Sequence, residues 1–141
     1  MDKKLTRREA RENAFIAAFS ISFFESELED VLLECKEDEE HPLDAFGEML
    51  VRGYYDHTAE IDEIVASHLK GWTMNRIPRV SLVALRLALS EILYGDEKKA
   101  GVAINEAVEI VKTYGAENDY QFVNGLLGAA VRDMGLDADM E

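Results

Sequence analysis

Residues 78–95 read PRVSLVALRLALSEILYG, a strongly apolar segment. Leucine, valine and isoleucine recur so often along it that a helix would be apolar around most of its circumference. Such a helix is buried in the middle of a domain rather than exposed on its surface. Pro78 suits the first turn of a helix, and Gly95 suits its end. The stretch therefore predicts a central helix that runs to Tyr94.

The rest of the chain also has the periodicity of helices. Its 141 residues include only two prolines, and no segment has the pattern of a strand. The apolar spacing predicts six further helices, at about residues 6–24, 28–35, 42–54, 58–69, 102–114 and 118–134. We therefore expect an all-α fold of seven helices in a single domain, residues 1–141. Two packed sub-bundles, about residues 1–70 and 78–135, would precede an acidic tail at 136–141.

Local signals predict where several helices begin. Residues 6–9 (TRRE) and 26–29 (SELE) have the form of a capping box, in which a hydroxyl and a carboxylate satisfy the first backbone N–H groups. Pro42 suits the first turn of the third helix, and Thr58 can cap the fourth. Trp72 lies in the connection between the two sub-bundles, where we expect it to fill the seam.

Cysteine usage favours a reducing compartment. Cys35 is the only cysteine, so the chain has no internal disulfide. It falls on the apolar face of the second helix, where we expect a small core residue rather than a nucleophile. The N-terminus is not followed by the apolar segment of a signal peptide, and no stretch is long enough to span a bilayer. The expected location is the cytoplasm.

Signatures of catalysis are missing from the sequence. It contains no glycine-rich nucleotide loop, no Gly-x-Ser-x-Gly and no His-Glu-x-x-His. His41, His57 and His68 do not have the spacing of a helical metal pair. Carboxylates are too numerous for any two to indicate an acid and base. We expect no enzyme activity, no metal site and no cofactor.

Charge is distributed unevenly along the chain. The net charge is −14, which by itself argues against binding a polyanion. Residues 1–11, however, hold five bases against two acids, whereas residues 25–40 hold nine acids and one base. The acidic runs are typical of solvated surface. The basic end is the candidate binding surface.

On an ideal helix three arginines of the basic end share one stripe. If Arg7 defines 0°, Arg11 lies at about 40° and Arg8 at about 100°, and Lys4 joins this arc if the helix starts early. A stripe of this kind can track phosphates, and guanidinium groups can stack on unpaired bases. The alternative is an ordinary solvated helix start, although cations there oppose the helix dipole.

The C-terminal third carries a specific resemblance. Residues 102–115 (VAINEAVEIVKTYG) and 122–127 (FVNGLL) closely resemble the NusB transcription antitermination family. Residues 85–91 (LRLALSE) are similar to that family's central helix, and residues 7–12 (RREARE) to its arginine-rich first helix. Trp72 with Arg76 falls where the family's connecting loop has similar residues. The resemblance is strong after Trp72 and weak between residues 25 and 58.

The resemblance implies an all-helical, non-catalytic RNA-binding factor. Members of the family pair with the ribosomal protein NusE, recognise the single-stranded boxA element of nascent ribosomal RNA, and act with other Nus factors on the elongation complex. By this resemblance two groups of residues would contact RNA, the second as a patch within residues 118–122. The first group is Arg7, Arg8 and Arg11, with Lys3 and Lys4 as looser helpers, and the second is Asn118, Gln121 and Phe122.

Some positions depart from the family pattern. Residues 119–121 read Asp-Tyr-Gln where relatives often have a serine and a basic residue, which should weaken RNA binding. Ser81 and Ser90 stand where an acidic and an aromatic residue are common, which would alter the NusE interface if that face meets NusE. With the strong acidity, we expect modest and salt-sensitive affinity for RNA alone.

Two other functions remain open from the sequence. The chain could be a protein-interaction module of the same fold that binds NusE with little RNA affinity. It could also be related to the NusB-like domain that precedes some RNA cytosine methyltransferases, although 141 residues leave no room for a cofactor-binding sheet. The sequence does not distinguish a monomer from a homodimer that covers the arginine stripe.

Overall fold

The computed structural model describes residues 4–96 and 99–136, which form seven α-helices and contain no strand. The helices are α1 (Arg7–Phe24), α2 (Leu28–Glu37), α3 (Ala45–Asp56), α4 (Thr58–Ser67), α5 (Arg79–Tyr94), α6 (Ala100–Tyr114) and α7 (Asp119–Asp133). A single 3₁₀ turn, Met74–Arg76, lies between α4 and α5. The all-α, seven-helix fold class is confirmed. No helix within the described ranges is long and apolar enough to cross a membrane.

Helix α5 is the central helix that its composition predicts. It packs against α1, α3, α4, α6 and α7, and Leu85 and Leu89 on it are fully buried. One continuous hydrophobic cluster contains side chains from all seven helices. The expected extent of the domain and its division into sub-bundles stay predictions.

Two serines of α5 face inward rather than outward. Ser81 and Ser90 are both buried, so neither offers its side chain to a partner, contrary to the expectation of an altered NusE interface. Ser90 lies opposite Gly53, where a Cβ would collide with its Oγ. Small residues at positions 53 and 90 therefore let α3 approach α5 closely.

The predicted helix starts are correct in part. At Thr6 the capping box is present in full, because Thr6 Oγ1 accepts from the Glu9 N–H and Glu9 Oε1 accepts from the Thr6 N–H. Residues 26–29 form no such box, and the N-cap of α2 is Glu27 without a side-chain hydrogen bond.

The third and fourth helices also begin differently from the predictions. Helix α3 starts at Ala45, three residues after Pro42, because Asp44 Oδ1 accepts from the Gly47 N–H at 2.7 Å and caps it. Thr58 is the first residue of α4 rather than its cap, since its hydroxyl donates backward to the carbonyl of Tyr54.

Trp72 does not fill a seam. Its side chain is 54% exposed, and the ring stacks on Phe122 of α7 with centroids 6.0 Å apart. The apolar residue that the connection buries is Ile77. The prediction for Trp72 is therefore wrong, because the polar residues beside it keep this part of the connection at the surface.

The turn between α6 and α7 fixes the start of α7. Helix α6 ends at Tyr114 with Gly115 as its cap. Asn118 adopts a left-handed conformation with φ of 73°, a region that asparagine tolerates better than most residues. Asp119 Oδ2 then accepts from the Ala116 N–H at 3.0 Å. This local bonding places residues 118–122 at the end of α6.

Candidate nucleic-acid interface

The first turns of α1 present part of the predicted basic stripe to solvent. Lys4, Arg7 and Arg8 are exposed, whereas Arg11 is buried. Lys3 lies outside the described residues. The structure therefore brings Lys4, Arg7 and Arg8 to one surface and separates Arg11 from them.

Arg11 forms a buried, two-point ion pair with Glu91 of α5. Its Nε donates to Glu91 Oε1 at 2.9 Å, and its Nη2 donates to Oε2 at 2.7 Å. The two side chains are only 8% and 7% exposed. Paired geometry of this kind satisfies both charges that burial removes from water. The expectation of a solvent-facing Arg11 is thus corrected, since periodicity alone could not reveal an acceptor 80 residues away.

Arg8 is bound through its Nε atom, and the rest of its guanidinium group is exposed. Its Nε donates to Glu106 Oε2 at 3.1 Å, yet its side chain is 70% exposed. Among the residues that the structure describes, the two terminal nitrogens of Arg8 bind no acceptor. They form the fork that matches a phosphate or carboxylate group.

Phe46 of α3 supports the neighbouring guanidinium groups. The Arg7 guanidinium carbon lies 4.0 Å from the centroid of the Phe46 ring, and that of Arg11 lies 5.1 Å from it. A cation over an aromatic face is attracted by the ring quadrupole. The exposed Arg7 side chain is therefore oriented by its contact with α3, and the Arg8 side chain by its contact with α6.

The second predicted patch lies at the start of α7. Asn118 and Gln121 are exposed, and Phe122 is half-buried and stacked on Trp72 with 24° between the ring planes. Lys112 Nζ lies 4.8 Å from the centroid of the Tyr120 ring. The patch thus combines exposed amides, an aromatic pair and a cation.

Trp72 is the candidate that sequence reasoning missed. A signal for it was present, because the residues that follow it, Thr73, Asn75 and Arg76, are polar, as expected of an exposed loop rather than of an apolar seam. The aromatic faces of such a pair are of the kind that stacks on unpaired bases.

The first patch lies beside the middle of α6, and the second lies at its C-terminal end. Arg8 meets this helix at Glu106, whereas the second patch follows its last residue, Tyr114. Eight residues of helix rise about 12 Å. A ligand that contacts both patches must therefore be extended, as a single strand of several nucleotides is.

A third surface lies at the C-terminal end of α1. Phe15, Phe19 and Phe23 follow one another along the helix, with ring centroids 5.9 and 5.8 Å apart. The row begins in the core and ends in the open, where Phe23 and Phe24 are both exposed. These two adjacent rings are in edge contact at 4.9 Å. We call Phe23 and Phe24 the aromatic tip.

The histidines and the cysteine have structural surroundings. His57 Nδ1 forms a hydrogen bond with Glu60 Oε2, and its ring stacks on Tyr94. His68 Nε2 forms a hydrogen bond with Asp133 Oδ2 of α7. Burial raises the pKa of the Cys35 thiol, and Asp38 and Glu34 raise it further, so the thiol is a poor nucleophile. In residues 4–96 and 99–136 no group of these side chains is arranged to hold a metal ion.

The described residues form an all-helical domain whose surface carries the exposed Arg8 fork and the Trp72–Phe122 aromatic pair. The NusB family model matches residues 8–132, and the chain belongs to the NusB family. Its resemblance to that family is thereby confirmed. The family consists of non-catalytic transcription antitermination factors rather than enzymes.

Relatives in sequence and structure agree with this assignment. The chain is 41% identical to the transcription antitermination protein NusB of Oceanobacillus iheyensis over 127 residues, 90% of this chain and 99% of the relative. It superposes on NusB of T. maritima with a TM-score of 0.81, 34% identity and coverage of 93% and 94%. A chain from a crystal structure of NusB and NusE with double-stranded RNA matches with a TM-score of 0.80, 28% identity and coverage of 90% and 96%.

The buried pair predicts a strong effect on stability. Arg11→Ala should lower the free energy of unfolding by about 3–5 kcal/mol, because it leaves the Glu91 carboxylate buried without its partner. Arg7→Ala, which removes an exposed cation, should change stability little. Urea unfolding followed by circular dichroism measures both. Equal stability of the two variants would contradict the structural role of Arg11.

Proposed function

We propose that this chain is a transcription antitermination factor that binds the boxA element of nascent ribosomal RNA together with NusE. The observation that carries the proposal is the outward fork of Arg8 beside the exposed Arg7, on the first turns of α1. A related NusB occurs in a complex with NusE and double-stranded RNA. The proposed site of action is the cytoplasm, on the elongation complex with other Nus factors.

Arg7 and Arg8, with Lys4 beside them, would contact phosphates. Each of these side chains is exposed, and residues 1–11 hold five bases against two acids. Arg11 would act indirectly, by locking α1 onto α5 through Glu91. Of the first group, only Lys3 has no described position.

Trp72 and Phe122 would supply a stacking surface for an unpaired base. The exposed indole and the half-buried phenyl ring already stack on each other, and Asn118 and Gln121 beside them can hydrogen-bond to base edges. Stacking needs an open base face, which a duplex does not offer at this surface. We therefore propose single-stranded boxA as the ligand, although the related complex holds double-stranded RNA.

NusE would bind at the aromatic tip. Phe23 and Phe24 expose apolar surface at one end of α1, and the carboxylates of Glu25 and Glu27 follow them. A basic ribosomal protein complements that charge and would be steered toward this acidic chain. Because α1 has 18 residues, its two ends are about 27 Å apart. RNA and NusE could thus occupy the same helix together.

The first test concerns the arginines. Arg7→Ala combined with Arg8→Ala should weaken boxA binding at least tenfold, and should make the dependence of log K on log salt shallower by about 1.4, the value for two phosphate contacts on a single strand. Fluorescence anisotropy with labelled boxA RNA and cognate NusE, at several salt concentrations, measures both quantities.

Lys36→Ala combined with Arg52→Ala is the matched control, since it removes the same charge from α2 and α3. If the control weakens binding as much as the arginine pair does, the RNA surface is not at the first turns of α1. A wild-type protein that binds NusE but does not prefer boxA over a scrambled RNA would instead be the protein-interaction module.

The second test concerns the stacking surface. Trp72→Ala should weaken binding to single-stranded boxA about fivefold or more, because base–aromatic stacking contributes about 1–3 kcal/mol per base. Tyr94→Ala, which removes another exposed aromatic residue, is the control and should have no effect. Equal losses for both variants, or a preference for a base-paired boxA hairpin, would refute the stacking role.

The third test concerns NusE. Phe23→Ser combined with Phe24→Ser should weaken NusE binding at least tenfold in isothermal calorimetry, since both apolar rings lose their burial in the interface. The same variant should keep its affinity for RNA measured without NusE. Leu33→Ser, at an exposed position on α2, is the control, and an equal loss there would place the interface elsewhere.

A further inference from the structure

Glu106 is a carboxylate beside a proposed phosphate-binding residue, where its negative charge would by itself weaken RNA binding. It lies on α6 beside Arg8, which we propose as a phosphate contact, and its side chain is only 16% exposed. Coulomb attraction alone would favour a neutral residue here, because a carboxylate repels phosphate. The geometry of the contact suggests why a carboxylate is nevertheless useful.

The contact uses only the inner nitrogen of the guanidinium group. Both Glu106 oxygens face Arg8 Nε, at 3.1 and 3.4 Å. Within the part of the chain that the structure describes, the two terminal nitrogens remain without an acceptor. The carboxylate therefore fixes the direction of the side chain without occupying its phosphate-binding fork.

The backbone on both sides of the contact is held in place. The Arg11–Glu91 pair locks α1 to α5 one turn after Arg8, and α6 packs along α5. Arg11, Glu91 and Glu106 line one cavity of about 20 Å³ where α1, α3, α5 and α6 meet. The backbone positions of Glu106 and Arg8 are thus fixed relative to each other.

We propose that Glu106 is a positioning residue for RNA binding, which holds the Arg8 fork in its phosphate-binding direction. This inference rests on the proposed function of Arg8. A free arginine loses much rotamer entropy when it binds a phosphate, and Glu106 removes part of that loss beforehand. The gain outweighs the repulsion between one carboxylate and the RNA, because the Arg8 cation paired with Glu106 offsets its charge.

The sign of one substitution tests the proposal. Glu106→Ala should weaken binding to single-stranded boxA RNA about threefold to tenfold, although it removes a negative charge. Glu106→Gln keeps an oxygen that can accept from Arg8 Nε, and should restore most of the affinity. Glu63→Ala removes an exposed carboxylate of α4, and should leave binding unchanged or slightly stronger.

A double-mutant cycle shows whether the effect passes through Arg8. In the Arg8→Ala background Glu106→Ala should no longer weaken binding. The salt dependence should stay close to that of the wild-type protein in Glu106→Ala, because Arg8 still contacts its phosphate, whereas Arg8→Ala should make it shallower by about 0.7, the contribution of one phosphate contact on a single strand. Circular dichroism and thermal melting of each variant establish that a loss of affinity does not come from unfolding.

The possible outcomes separate this inference from the proposed function. If the wild-type protein binds boxA and Arg8→Ala weakens it, but Glu106→Ala binds as well as wild type or better, the positioning role is refuted and the function stands. A loss that persists in the Arg8→Ala background also refutes it. If the wild-type protein with NusE does not bind boxA at all, both proposals fail.

Discussion

The pairing of Arg11 with Glu91 is the constraint on which the proposed RNA surface depends. Both side chains are removed from water, and each is satisfied by the other at two points. The pair joins the first helix to the central one and sets the rotation of α1 about its axis. Because Arg11 faces inward, Arg7 and Arg8 lie at the edges of the buried face of α1. There Arg7 contacts the Phe46 ring and Arg8 contacts the Glu106 carboxylate. A buried ion pair is seldom a net source of stability, so we expect its main effect to be on the orientation of α1.

The central helix and the first capping box could be predicted because their signals are local. An apolar stretch between Pro78 and Gly95 has one stable location, and Thr6 with Glu9 closes a box within four residues. Arg11 could not be assigned in this way, since its fate depends on a carboxylate far along the chain. The burial predicted for Trp72 is wrong for a related reason, because a large apolar ring predicts burial unless the polarity of its neighbours is also considered.

The acidity of the chain and its proposed polyanionic ligand are compatible because charge is separated in space. The exposed Arg7 and Arg8 occupy the first turns of α1, and the aromatic tip with its following carboxylates lies at the other end of the same helix. An acidic body limits non-specific binding to nucleic acid, and it favours a basic protein partner. Specific binding of RNA would then combine contributions from the partner, the exposed arginines and the stacking surface.

Nuclear magnetic resonance of the arginine Nε–H groups distinguishes a structural arginine from one that binds RNA. Arg11 is expected to stabilise the fold through Glu91, whereas Arg7 and Arg8 are expected to contact RNA. During a titration of the ¹⁵N-labelled protein with boxA RNA and unlabelled NusE, the signals of Arg7 and Arg8 should shift, and that of Arg11 should stay in place and exchange slowly with water. A large shift of the Arg11 signal, with those of Arg7 and Arg8 unchanged, would contradict the account.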